Sequence, residues 1–207
     1  MAQDTHAKIL EAADQLFGEL GFDAASTRLI AERSGTNKAL IHYHFRNKDE
    51  LFGAVLDRYY ERLQVVLAGN LGAEGTLRER FVALLDAYMD FLKENQSFSH
   101  IVQREAAGGK HVDRIVARMS PLLQLGVQLL RATYPRVFVD DAGPAQVLLS
   151  FYGMVISTFT YAPVLAPLLG FDPLGDEALG ARKRHLQQMI DLLISDLERQ
   201  TKEGEES

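Results

Sequence analysis

The chain has 207 residues, of which 47% are apolar, and a formal net charge of −6 at pH 7. Such a chain can form one large or two small domains with a packed core. The absence of cysteine excludes disulfides, thiolate metal sites and cysteine nucleophiles, and the negative net charge taken alone argues against nucleic-acid binding.

The N-terminal segment is predicted to form the first helix. Its apolar residues recur at the three- and four-residue spacing of one helical face, and Gly21 is placed to end the helix. The segment lacks the basic start and the continuous apolar run of a secretion signal, so we expect a cytoplasmic protein. The apolar face comprises Ile9, Ala12, Ala13, Leu16, Phe17 and Leu20.

Residues 26–48 predict two short helices joined by a turn. Thr27 is placed to cap the first of these two short helices, because a hydroxyl there can accept a hydrogen bond from a free backbone N–H. Gly35 can adopt the positive φ that reverses the chain, and Asn37 is placed to cap a second helix that begins at Lys38. This succession is the outline of a helix-turn-helix.

The second short helix has two different faces. Ile41 and Phe45 share one face at a spacing of four residues, which suits packing on the preceding helix. The opposite face carries cationic, imidazole and aromatic groups, which suit phosphates and base edges. Residues 26–48 hold five cations against one carboxylate, whereas residues 1–25 hold one lysine against five carboxylates. A local basic patch is therefore predicted on an otherwise acidic protein.

The run G-T-N-K-A-L-I-H-Y-H-F-R-N-K-D-E-L resembles the DNA-binding signature of the TetR/AcrR family of bacterial transcriptional regulators. In that family a short recognition helix ends in Tyr-x-His-Phe or Tyr-Tyr-His-Phe, and a lysine follows three residues after the phenylalanine. Phe45 and Lys48 keep this spacing. His42 departs from the pattern, because the family more often has tyrosine there, and Ala39 stands where glycine or proline is common.

The resemblance implies a DNA-contact set in three parts. Thr27 and Arg28 would lie against the DNA backbone at the start of the second helix, and Lys48 would anchor a phosphate at the start of the fourth. The groove would be faced by Lys38, Ala39, Leu40, His42, Tyr43 and His44. Three alternatives stay open: a packing role for Tyr43, a core position for His44 and an ordinary solvated side chain for Lys48.

The rest of the chain also predicts helices, so the expected fold is all-α with about nine helices. Pro121 is expected to kink or divide the seventh helix, which should run from about His111 to Tyr134. The predicted division is a helix-turn-helix DNA-binding domain (1–48), a larger helical ligand-binding and dimerisation domain (49–200) and a disordered tail (201–207).

Residues 142–171 carry no charge, which raises the alternative of a transmembrane helix. Interspersed polar residues, Pro163 and Pro167 oppose it, so we predict a buried helix and no membrane contact. The last helix, from about Asp176 to Gln200, is amphipathic, and two such helices from each of two chains can form a four-helix bundle. The resemblance likewise implies a homodimer through the last two long helices, and a second basic patch would strengthen DNA binding.

The resemblance also implies a small-molecule pocket in the larger domain, and such pockets are mostly apolar with a few polar groups. An ordinary core is the alternative role for most of the aromatic candidates, and a solvated surface is the alternative for Arg104. The candidates are Tyr88, Phe91, His100, Gln103, Arg104, Phe151, Tyr152, Val155 and Phe159.

The favoured function is a homodimeric transcriptional regulator, a repressor that a small, largely apolar effector releases from a pseudo-palindromic double-stranded DNA operator. An enzyme or ligand carrier that keeps the helix-turn-helix only for packing is the alternative. Its nearest constellation is His100, Glu105 and His111, whose spacings do not stack on one helical face. We therefore predict no enzyme activity, cofactor or metal site. A regulator whose effector is a partner protein is a third possibility.

Overall fold

A computed structural model of the chain describes residues 2–72 and 74–204, which form ten α-helices and no strand. The all-α prediction is confirmed. The expected nine helices become ten because the uncharged run is divided at Tyr161. The helices are α1 Ala2–Leu20, α2 Thr27–Ser34, α3 Lys38–His44, α4 Lys48–Leu71, α5 Leu77–Glu94, α6 Gln96–Ala106, α7 Val112–Thr133, α8 Ala142–Thr160, α9 Ala162–Leu169 and α10 Asp176–Glu203.

The chain divides into two compact units. The first comprises Met1–Arg62 and Asn95–Val116, and the second comprises Leu63–Glu94 and Ala117–Ser207. This division differs from the predicted domain boundary at residue 48, because α6 and the first part of α4 belong with the helix-turn-helix. A three-helix domain of about 50 residues buries little surface alone, and these added segments enlarge its core.

The core of the first unit is aromatic. The rings of Phe17 and Phe52 meet edge to face with centroids 5.0 Å apart, and Phe22 packs on Phe52 at 5.1 Å. Gly18 allows α1 and α6 to approach closely, since a Cβ there would lie 2.8 Å from the Cβ of Ser97. The prediction of the first helix and its inward face holds except at Leu20, which is 43% exposed.

A buried carboxylate lies at the edge of this core. The Tyr59 hydroxyl donates to Asp14 at 2.6 Å, and Nη2 of Arg58 donates to the same carboxylate at 2.7 Å. Burial nevertheless raises the pKa of Asp14, because the hydrogen bonds from Tyr59 and the charge of Arg58 offset the lost hydration only in part.

In the second unit α5 and α10 pack antiparallel along a line of polar pairs. Arg78 donates to Asp191 at 2.5 and 2.9 Å, and the pairs Asp86–Gln187, Asp90–Lys183 and Lys93–Asp176 follow in opposite order along the two helices. The amphipathic prediction for the last helix is confirmed. Its buried residues are Leu179, Leu186, Ile190, Ile194 and Leu197.

Helix α8, Ala142–Thr160, is the candidate membrane span within the described chain, with a mean hydropathy of 1.2. Length and composition alone are weak evidence for a span, because core helices of soluble proteins pass the same test. The prediction of a buried helix needs correction, since 22% of the residues in this apolar window are buried within the chain. Leu149 is 58% exposed, so much of the apolar surface of α8 is left uncovered.

Helices α7 and α10 differ in part from their predictions. Helix α7 runs from Val112 to Thr133 with Pro121 inside it, so the proline does not divide the helix, and the predicted kink stays a prediction. Helix α10 continues to Glu203, where the Thr201 hydroxyl donates to the carbonyl oxygen of Leu197 at 2.8 Å. The predicted disordered tail therefore begins too early, and its last residues, 205–207, lie outside the described residues.

Candidate nucleic-acid interface

The cap of α2 is one residue earlier than predicted. Ser26 has extended backbone angles, and its side chain accepts a hydrogen bond from the backbone N–H of Leu29 at 3.2 Å. Thr27 is instead the first residue of the helix and is half-buried. Two adjacent hydroxyl residues give similar cap signals in sequence, and the backbone geometry decides which of them serves.

The turn between α2 and α3 is as predicted. Gly35 has a φ of 64°, which favours glycine, and the N–H of Thr36 donates to the carbonyl of Ala31 at 3.0 Å. Asn37 caps α3, because its Oδ1 accepts from the N–H of Leu40 at 2.9 Å. Helix α3 begins at Lys38, so its orientation is set at its first residue by a side-chain hydrogen bond.

Helix α3 presents a buried and an exposed face. Ile41 and Phe45 are 1% and 3% exposed, which confirms their inward packing. Tyr43 is 79% exposed, which excludes the alternative packing role within this chain. Lys38, Ala39 and His42 are also exposed, and Leu40 lies near the edge at 37%. The helix therefore offers a continuous polar and aromatic surface to a partner.

His44 lies between these two faces. It is half-buried, and its ring meets those of Tyr43 and His6 edge to face, with centroids 5.1 and 5.6 Å away. His6, on α1, also stacks on Phe45 at 4.9 Å. His44 is therefore neither a core histidine nor fully outward. Sequence spacing did not reveal this packing because His6 is distant in the chain.

The α3–α4 turn contains two features that the sequence analysis missed. Asn47 Oδ1 accepts from the N–H of Glu50 at 2.8 Å, and the Glu50 carboxylate accepts from the N–H of Arg46 at 3.3 Å. An Asn-x-x-Glu string before an apolar run is the available signal for this cap. The reciprocal bonds hold the exposed Arg46 beside the end of α3.

The ammonium of Lys48 is used inside the protein. It donates to the carbonyl oxygens of Phe22 at 2.8 Å and Asp23 at 3.3 Å, and it lies 4.2 Å from the centroid of the Phe22 ring. An ammonium has three N–H groups, so at most one is left for an external anion. These contacts exclude the alternative of an ordinary solvated side chain, and the predicted phosphate contact stays a prediction.

The five cations of the helix-turn-helix are not equally available. Arg28 pairs with Glu32 on its own helix at 2.9 Å, and Arg33 makes two bonds to Glu19 at 3.1 and 3.2 Å. Both pairs are exposed, so a phosphate can compete with them at small cost. Lys38 and Arg46 have exposed side chains for which the described part of the chain contains no ion pair. The electrostatic attraction is therefore greatest along α3 and the turn after it.

The nine predicted effector residues fall in both compact units. His100, Gln103 and Arg104 are exposed on α6 in the first unit, where Nη2 of Arg104 donates to the carbonyl of Glu19 at 2.9 Å. The other six belong to the second unit: Phe91, Val155 and Phe159 are buried, and Tyr88, Phe151 and Tyr152 are half-buried. Their shared role stays a prediction.

Asp49, Glu105 and His111 form a cluster that the sequence did not predict. The spacing of Glu105 and His111 does not place them on one face of a helix. The two residues nevertheless meet at 3.2 Å, because a turn after α6 brings the chain back on itself. His100, the third member of the constellation considered for an enzyme, is exposed elsewhere on α6.

Comparisons with known proteins match both the sequence and the fold. The family model described as bacterial regulatory proteins, tetR family, matches residues 9–55. An HTH-type transcriptional repressor of Mycobacterium tuberculosis is 30% identical over 176 residues, covering 84% of this chain and 83% of that protein.

Two solved structures share the fold at low sequence identity. The regulator AibR, solved in complex with isovaleryl coenzyme A and operator DNA, aligns with a TM-score of 0.71 at 19% identity, covering 89% of this chain and 97% of its own. The ketosteroid transcriptional regulator KstR2 of Mycobacterium tuberculosis aligns with a TM-score of 0.64 at 18% identity, covering 93% and 92%.

Proposed function

The chain belongs to the tetR family of bacterial regulatory proteins, and from this premise we propose that it binds a pseudo-palindromic operator as a homodimer. It is a transcriptional regulator rather than an enzyme, which removes the alternative in which the helix-turn-helix serves only for packing. A regulator acts where the DNA is, so we place it in the cytoplasm. We propose that it represses transcription and that a small apolar effector releases it.

The observation that carries the proposal is the exposed face of α3. Lys38 and His42 offer donors to phosphates or guanine, and Tyr43 is 79% exposed although aromatic rings are usually buried. Ala39 and Leu40 add apolar surface for a thymine methyl group. Buried Ile41 and the Asn37 cap hold the helix rigidly enough to present this surface.

We propose different roles for the predicted DNA-contact residues outside this exposed face. Thr27 and Arg28, at the start of α2, would meet the DNA backbone, with Arg28 exchanging its exposed pair to Glu32 for a phosphate. His44 would touch the rim of the groove through its free edge. We assign Lys48 chiefly to positioning α4 against the loop between α1 and α2, because two of its three N–H groups already donate to carbonyl oxygens there.

The test is selection from a randomised duplex library with the full-length protein, followed by sequencing. Recovery of a pseudo-palindrome with half-sites about one helical turn apart or somewhat more is expected. Lys38→Ala should then change which half-site is preferred, whereas Arg46→Ala should weaken binding to all duplexes alike. Recovery of no motif by the effector-free protein would refute operator recognition.

The homodimer proposal is supported by the uncovered surface of α8 and α10. Leu149 on α8 is 58% exposed and Leu192 on α10 is 65% exposed. A second copy of these helices would cover both in a four-helix bundle. Leu149→Glu and Leu192→Glu should each shift the protein towards monomer in sedimentation velocity. Val139→Glu, at a position 80% exposed between helices, is the matched control and should leave the mass unchanged.

The effector proposal is supported by the second unit. Phe91, Val155 and Phe159 are buried apolar residues, and burial raises the pKa of Tyr152 on the same helix as the last two. Arg182 supplies an orienting group, because its Nη2 donates to the carbonyl of Met154 at 2.7 Å while its Nε is buried without a hydrogen-bond partner. We propose an apolar molecule that carries an anionic group. Isovaleryl coenzyme A, the ligand in the AibR structure, likewise combines an apolar acyl group with anionic groups, on a larger and more polar molecule.

The effector test measures release from the selected operator by fluorescence anisotropy. Isovaleryl coenzyme A and a medium-chain fatty acid are the anionic probes, and the matched alcohol is the neutral control. The anionic probes should release the DNA, and Arg182→Gln should weaken their effect without changing operator affinity in their absence. Equal release by acid and alcohol would refute a role for Arg182.

A further inference from the structure

A buried histidine joins three segments of the first unit. His111 is 6% exposed and precedes α7, Glu105 is 4% exposed on α6, and Asp49 lies in the first turn of α4. Nδ1 of His111 is 3.2 Å from Glu105 Oε2, and Nε2 is 3.1 Å from Asp49 Oδ1. Both ring nitrogens therefore face carboxylate oxygens.

Both contacts can be hydrogen bonds only if the cluster carries one proton more than a neutral imidazole with two ionised carboxylates. A neutral imidazole has one N–H and one lone pair, so it can donate to only one carboxylate, while its other nitrogen and the second carboxylate are both acceptors. An imidazolium donates to both. The same Glu105 oxygen also accepts from the backbone N–H of His111 at 2.9 Å, which makes the Glu105 contact the better anchored of the two.

Charged groups and two aromatic rings surround the imidazole. Glu105 faces it from α6 and Asp49 from α4, while the ring of Phe22 packs on it edge to face at 4.3 Å and the ring of Phe52 lies at 4.5 Å. The charged groups further out include the carboxylate of Asp23, the ammonium groups of Lys48 and Lys110, and the guanidinium of Arg114, which lines the same surface depression as Asp49. Lys110 lowers the pKa of Asp23 chiefly by a hydrogen bond, with smaller contributions from Lys48 and His111.

The cluster is connected to α3 along the chain by the short turn 45–47. Asp49 follows the end of α3 by five residues, and its neighbour Lys48 bonds to the carbonyl of Phe22, whose ring contacts His111. The first turn of α4 is thus held at Asp49 by the imidazole and at Lys48 by the α1–α2 loop. The turn 45–47 is short, so the position of the first turn of α4 constrains where α3 ends.

We propose that His111 is a proton-dependent positioning residue, which when doubly protonated ties Asp49 to Glu105 and holds α3 in place for operator binding. This inference rests on the proposed function. When the proton is lost, the Asp49 contact breaks first, because that carboxylate has a side chain 60% exposed and gains water, whereas Glu105 is buried. We therefore expect operator affinity to fall as pH rises and this proton is lost.

The first experiment compares operator affinity at about pH 6 and pH 8 at constant salt. The wild type should lose roughly tenfold in affinity over this interval, a typical size for coupling between two sites. His111→Gln and Asp49→Asn should each lose less than the wild type, because both keep the imidazoles of His42 and His44 on α3. His185→Gln, the same substitution at an exposed histidine of α10 outside the cluster, should keep the wild-type dependence. Equal pH dependence in the wild type and His111→Gln would overturn the inference.

The second experiment needs no DNA, so the failure of the inference and the failure of the proposed function give different results. The ring nitrogens of His111 are followed by long-range ¹H–¹⁵N NMR and assigned by the signals that His111→Gln removes. Both nitrogens should carry protons at the acidic end of a pH series, and one should lose its proton as pH rises. A single neutral tautomer throughout would overturn the inference even if the operator binds, whereas this loss of a proton without operator binding would refute only the proposed function.

Discussion

Replacement of Lys48 by methionine separates positioning from phosphate binding. The variant keeps the apolar stem and removes two bonds from an ammonium to carbonyls, at 2.8 and 3.3 Å, together with the contact over the Phe22 ring. A hydrogen bond to a charged group contributes about 1.5–3 kcal/mol and an exposed cation–π contact about 0.5–1 kcal/mol. Because Lys48 is only half-buried and the second bond is long, we expect the free energy of unfolding to fall by about 2 kcal/mol.

The assay is thermal unfolding at fixed protein concentration, combined with operator binding at several salt concentrations. A fall of about 2 kcal/mol should lower Tm by about 4–8 °C for a chain of this length. The slope of log affinity against log salt should stay as in the wild type, because the variant neutralises the same number of phosphates. Lys38→Met is the matched control, and it should leave Tm unchanged while altering operator preference.

The opposite pattern would refute this account of Lys48. If Lys48→Met kept the wild-type Tm and reduced the salt slope by about 0.9 for each phosphate that Lys48 neutralises, the ammonium would be a phosphate anchor, as the family pattern predicts. A fall in Tm together with a smaller salt slope would show that Lys48 does both: two of its N–H groups position α4 and the third binds a phosphate.

Three further changes test the packing of the first unit by equilibrium unfolding. Asn37→Ala removes the cap of α3 and should cost about 1 kcal/mol, so an unchanged stability would contradict the cap. Gly18→Ala should cost about 1–3 kcal/mol by crowding Ser97, and Ser97→Gly should restore part of it. The raised pKa of Asp14 means that the folded state keeps its proton longer, so Asp14 contributes stability at acidic pH that is lost as pH rises through the raised pKa. Asp14→Asn should abolish that fall.

Local signals explain which parts of the site were predictable. Gly35 and Asn37 mark the turn and the cap because their conformational and hydrogen-bonding preferences act within three residues. The inward pair Ile41 and Phe45 follows from helical periodicity alone. The amphipathic stripe of α10 was predictable for the same reason.

Contacts between residues that are far apart in the chain were not predictable from such local signals. Lys48 meets Phe22 across 26 residues of chain, and His111 meets Asp49 across 62. The periodicity of α8 shows that it is apolar and does not show how much of it the chain itself covers. The choice of Ser26 over Thr27 as a cap likewise depends on backbone angles that the neighbouring helices impose.

The sequence by itself therefore determined most of the helices, the helix-turn-helix and the two faces of its second helix, because capping, turn formation and periodicity depend on neighbours along the chain. The tertiary structure alone decided that α6 belongs to the same compact unit as the helix-turn-helix and that Lys48 is held by the α1–α2 loop. It also decided that a histidine after α6 lies between two carboxylates. These features arise where distant segments bury surface together, and no local pattern specifies which segments those are.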